Sequence, residues 1–176
     1  MKNQIDHRYF AYLSKSELKN INKTITNNTF SVTGDIENLQ QDIQKMFLQS
    51  TTAKELHLDN RSLTWTHKNI KTQIEVAHLA LLTYKLIPYK KPFKPNRNHA
   101  LLSGHLDVDK VIAPSKFLRI FFGFKTFAQW SYLMDQLLAC AFEKLFIFDI
   151  TDANDLFICK ALLTKLPVIM RDFQKG

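Results

Sequence analysis

Apolar residues recur at helical spacing along three long stretches of the chain. Ile36, Leu39, Ile43, Met46 and Phe47 repeat with glutamine, aspartate and lysine between them. That period predicts an amphipathic helix with one buried face, and Asp35 is placed to cap it. The second stretch runs from Asn69 to about Ile87 through Ile70, Ile74, Ala77, His78 and Leu81, with Pro88 placed to end it. The third runs from about Thr126 to Lys144, where Phe127, Trp130, Met134, Leu137, Leu138 and Ala141 form the stripe. Its polar face is thin, so it belongs near the centre of the core.

Shorter helices carry start and stop signals of their own. Ser14 stands three residues before Glu17, a capping-box spacing, and Leu18, Ile21 and Ile25 follow on one face. Pro114-Ser115 opens a predicted helix over Ser115–Phe122, which Gly123 closes. Another is expected over Asp107–Ala113. A last one is expected over Asp155–Leu166, capped by Asp152 or Asn154 and ended by Pro167.

Elsewhere the period shortens to two. Leu56 and Leu58 alternate with polar residues, Asp59-Asn60 is a turn signal, and Leu63 and Trp65 alternate again. This predicts a β-hairpin over residues 56–66. Phe30 and Val32 read as a short strand before Gly34, and Pro167–Met170 as a final one. Leu145–Ile150 is a continuous apolar run that suits a helix end or a buried strand. The expected fold class is α+β: a predominantly helical, compact domain with a small antiparallel hairpin and one or two further short strands. Its expected parts are a helical and hairpin subdomain over 1–87, a basic loop over 88–99 and a helical subdomain over 100–176.

Composition sharpens parts of this picture. Fourteen phenylalanines predict an aromatic-rich core, and four glycines leave few positions for positive φ. Two cysteines, Cys140 and Cys159, are too few for a disulfide framework or a zinc site and sit in apolar helical contexts. The first ten residues lack the apolar stretch of a signal peptide. No run approaches the roughly 18 apolar residues of a membrane span. A reducing, cytoplasmic location without a membrane span is the expectation.

Charge changes the picture most. The chain carries a net +8, and residues 89–99 hold four cations and no acid, half of that excess. The segment PYKKPFKPNRNH, residues 88–99, also holds three of the five prolines. Each fixes φ and removes a backbone donor, so the segment should be extended and stiff. Two readings compete. In one it is a solvated linker kept soluble by lysine, and the chain is then a protein-interaction or regulatory module. In the other it contacts single-stranded nucleic acid or another polyanion. Lys85, Lys90, Lys91, Lys94 and Arg97 would meet phosphates, while Tyr89, Phe93 and His99 would stack on exposed bases.

Catalytic patterns are weaker. Glu75 and His78 stand three apart on one helical face, where a metal could sit between them. Two-metal carboxylate bundles need two such motifs; this chain has one, and His78 also lies on the apolar stripe. The pair reads as a half-buried histidine partnered by Glu75. Asp149, Asp152 and Asp155 lack the alternation and the glycine of a calcium loop and read as helix capping beside a solvated acidic face. A helix-turn-helix over 105–144 would present Gln129, Asp135 and Gln136 but no arginine to base edges. Ser115–Lys125 places Lys116, Arg119 and Lys125 around a phenylalanine-rich face better suited to the core than to a membrane surface. No nucleophile elbow or phosphate-cradling glycine loop is present, so no catalytic residue, metal ligand or cofactor is assigned.

Overall fold

The structure is a computed structural model that describes residues 10–25, 36–51, 60–90, 113–143, 147 and 152–172. Among them all regular structure is helical: α1 (Lys15–Lys19), α2 (Ile36–Thr51), α3 (Asn60–Thr83), α4 (Pro114–Phe124), α5 (Phe127–Glu143) and α6 (Ala153–Asp172), with a further helical turn at 21–25. The α+β expectation is therefore corrected to a mostly helical fold. The expected strand at 30–32, the first arm of the hairpin at 56–59 and the expected helix over 107–113, apart from Ala113 at the N-cap of α4, lie outside the described residues, as does the 145–150 run apart from Ile147.

The hairpin fails for a geometric reason. Its second arm, with Leu63 and Trp65, is part of α3. Leu63 is 2% exposed and Trp65 50%. In a strand these two residues would share a face, whereas residues two apart on a helix point roughly 200° apart, which puts one inside and the other out. The longer period decides: Leu63, Thr66, His67, Ile70 and Ile74 are all buried, at spacings of three and four.

α3 is the central element and packs against α2, α4, α5 and α6. α2 lies against α5 and α6 as well. Ser50 of α2 donates its hydroxyl to the Leu137 carbonyl of α5 at 3.0 Å, and Gln49 Nε2 donates to the Ala141 carbonyl at 3.1 Å. The phenylalanine-rich face of α4 goes inward: Phe117, Leu118, Phe121 and Phe122 join one hydrophobic cluster that draws on residues on both sides of the 88–99 segment. Trp130 of α5 is wholly buried, stacks on Phe121 at 4.2 Å and donates its indole N–H to the Phe121 carbonyl. Among the described residues no helix is long and apolar enough to cross a membrane.

The helix ends show where local signals held. Ser14 and Glu17 form the expected capping box at α1. Thr126 and Gln129 form a second at α5, each side chain bonded to the other's backbone N–H. Asp152 Oδ1 accepts from the Asp155 N–H and caps α6. Pro167, however, does not end α6, which runs on to Asp172. Ile169 and Met170, beyond the proline, are buried in the core. Each such side chain contributes about 1.5–3 kcal/mol, enough to offset the roughly 3 kcal/mol cost of a mid-helix proline. In the turn before the proline, Gln40 of α2 donates Nε2–H to the Thr164 carbonyl at 2.8 Å.

Candidate polyanion-binding segment

The basic segment begins where α3 ends, and that end is not at Pro88. The Lys85 N–H donates to the Leu82 carbonyl and the Leu86 N–H to the Leu81 carbonyl, the paired bonds of a Schellman motif. Lys85 occupies its left-handed position with φ 52°, the place usually taken by glycine. Leu86 turns back onto the core while Lys85, Ile87 and Lys90 stay exposed.

Arg119 of α4 fastens the next residues down. Its Nε–H donates to the Ile87 carbonyl at 2.8 Å, and its own carbonyl accepts the Tyr89 N–H at 2.9 Å. Its guanidinium carbon lies 4.2 Å from the centre of the Tyr89 ring. Close approach here depends on Gly123, where a Cβ would overlap the Tyr89 carbonyl oxygen and sit 3.0 Å from its backbone carbon and nitrogen.

Of the sequence-predicted contact residues, the structure thus places Lys85, Tyr89 and Lys90 at the α3–α4 edge. Lys91, Phe93, Lys94, Arg97 and His99 lie outside the described residues. Two residues not anticipated from sequence join the group. Tyr84 is exposed beside Lys85, and Arg119 uses one of its five N–H donors on Ile87. Arg119 had been visible only as a cation on an apolar helix.

The Glu75–His78 pair is not formed. Glu75 reaches away from His78 and accepts the backbone N–H groups of Ala11, Tyr12 and Leu13 at 2.8–3.1 Å. Burial raises its pKa, while those three donors and Lys71 pull the other way. His78 stacks on Phe127 at 4.6 Å, with Phe122 and Phe10 also against it. Its Nδ1 is buried with no hydrogen-bond partner among the described residues, and burial lowers its pKa to about 4. A neutral imidazole wrapped in phenylalanine is a packing residue.

Another polar cluster was missed from sequence. His67 and Lys71, one turn apart on α3, both meet Asp135 of α5, with His67 Nε2 and Lys71 Nζ each 2.9 Å from Oδ1. A carboxylate only accepts, so His67 carries its proton on Nε2. Burial lowers the His67 pKa, with the Asp135 bond opposing. The four-residue spacing of His67, Lys71 and Glu75 was the available signal; the partners are distant in sequence.

The acidic triplet disperses: Asp149 lies outside the described residues, Asp152 caps α6, and Asp155 pairs with Lys125 at 3.1 Å. Gln129, a supposed base-reader, is occupied at the α5 cap, and Asp135 is held by Lys71. Among the described residues no cluster of three or more histidine, cysteine, aspartate or glutamate side chains could hold a metal. No protein family, curated protein or solved structure matches this chain.

Proposed function

We propose that this protein is a cytoplasmic binder of single-stranded nucleic acid or another polyanion, weak and largely non-specific, acting through residues 85–99. The observation that carries the reading is Lys85. A residue with a side chain at φ 52° costs about 1–2 kcal/mol more than the right-handed conformation, and glycine would avoid that cost. A strained lysine at the head of a cation cluster is what a contact surface for negative charge would retain. Support also comes from Arg119, which fixes residues 87–89 and so lowers the ordering cost of the segment.

Four neutralised phosphates on a single strand give a slope of about −3 in log affinity against log salt, and affinities of about 1–100 μM. The test is binding of a short fluorescent oligonucleotide at rising salt, beside the variant with Lys90, Lys91, Lys94 and Arg97 changed to serine. Loss of binding in that variant is expected. Unchanged binding places the site elsewhere.

A second reading, a protein-interaction module, is favoured by the exposed apolar side chains of Leu82, Tyr84 and Ile87, the last 74% exposed, at the same corner. Early elution from heparin at low salt, with concentration-dependent size-exclusion behaviour, would select it.

A further inference from the structure

The outer face of α3 carries an arrangement that neither the loop nor the core explains. Residues 60–74 hold Arg61, Lys68 and Lys71 and no acid. Lys71 turns inward to Asp135, whereas Arg61 and Lys68 are exposed and neither forms an ion pair with a described residue. Between them stands Trp65, 50% exposed. Spacings of four and three put Arg61, Trp65 and Lys68 on one face, with Thr64 also exposed there. Asn69, half-buried, bonds the Trp65 carbonyl, which leaves the indole out of that bond.

From these residues we infer that the Arg61–Trp65–Lys68 face of α3 is a second contact surface for single-stranded nucleic acid, with Trp65 as its base-stacking platform. The inference rests on the polyanion-binding reading and names the ligand more closely. A flat indole flanked by two cations offers π-stacking to a base and charge to the phosphates on either side. A duplex hides its base faces, so the surface selects unpaired strands. The absence of acid along this stretch supplies the charge complementarity. Arg61 and Lys68 are about 10 Å apart along the helix axis, room for roughly three nucleotides. Two further phosphate contacts would steepen the single-strand salt slope by about 1.4.

The chain has two tryptophans, and the other, Trp130, is wholly buried, so quenching by acrylamide reports on Trp65. The full chain is titrated with an oligothymidylate of about 20 nucleotides, with heparin, and with anionic phosphatidylserine vesicles. The oligonucleotide is expected to quench Trp65 emission and shield it from acrylamide, while heparin binds without quenching. Trp65→Ala should weaken oligonucleotide binding by roughly tenfold and leave heparin binding unchanged. The Arg61→Ser, Lys68→Ser double variant should flatten the oligonucleotide salt slope by about 1.4. Oligonucleotide binding that Trp65→Ala does not alter, with silent emission, overturns this inference and leaves the loop reading standing. Failure of both oligonucleotide and heparin to bind removes both. A Trp65 response to vesicles alone, or shielding that grows with protein concentration without ligand, also overturns it, in favour of a lipid surface or a second copy of the chain.

Discussion

Lys85 and His78 each sit where the local chemistry prefers another residue. Lys85 holds the left-handed corner of a Schellman motif. Lys85→Gly should therefore raise stability by up to about 1 kcal/mol in urea denaturation, because glycine lacks the Cβ clash, while weakening polyanion binding. His78 is packed among Phe10, Phe122 and Phe127, and its pKa falls to about 4 in the fold. The unfolded chain then takes up the proton first on acidification. Stability contributed by the neutral imidazole is full above about pH 6.5 and is lost as pH falls to about 4, by about 3 kcal/mol. In His78→Phe the difference in unfolding free energy between pH 7 and pH 4 should shrink by about 2–3 kcal/mol. His67, also lowered by burial, retains its own share of acid sensitivity in that variant.

At the scale of elements, α4 matters through its outer edge as much as through its buried phenylalanines. Gly123 lets the 87–89 segment lie against the helix, and Arg119 bonds it there. Alanine is normally the better helix former by about 1 kcal/mol. At this position its Cβ would overlap the Tyr89 backbone. Gly123→Ala should reverse the usual sign and destabilise by about 1–3 kcal/mol. Faster hydrogen exchange at the Tyr89 amide would show that the segment has lifted; a more stable variant with unchanged exchange would refute the contact. α6 teaches a related lesson, since its proline is accommodated because the turns beyond it are buried.

For the whole molecule, cohesion comes from one aromatic-rich cluster with a few polar ties between distant segments. Glu75 binds residues 11–13 to α3 across more than 60 positions of sequence. Cys140 of α5 and Cys159 of α6 are buried within the same cluster, and burial pushes the Cys159 thiol up to about 12. Neither should react with a thiol reagent while the fold is closed. Labelling in increasing urea should track the unfolding transition followed by circular dichroism, with both thiols reacting together. Separate labelling rates would show that α5 and α6 open independently.

Much of this structure was legible in local pattern. The stripes at 36–47 and 127–141, the Ser14–Glu17 capping box and the inward-facing cysteines each follow from spacing within one or two turns, and the residues involved are near neighbours. The concentration of cations after α3 is likewise a property of the chain itself. Tertiary structure alone decided that Leu63 and Trp65 lie on opposite sides of a helix, that α6 continues through Pro167, that Arg119 fastens residues 87–89 beyond the end of α3, and that Glu75 answers residues 11–13 and not His78. In each case the local preference is worth at most about 1–3 kcal/mol. Burial and hydrogen bonds to residues far along the chain are worth as much or more. Such partners meet only once the fold has formed.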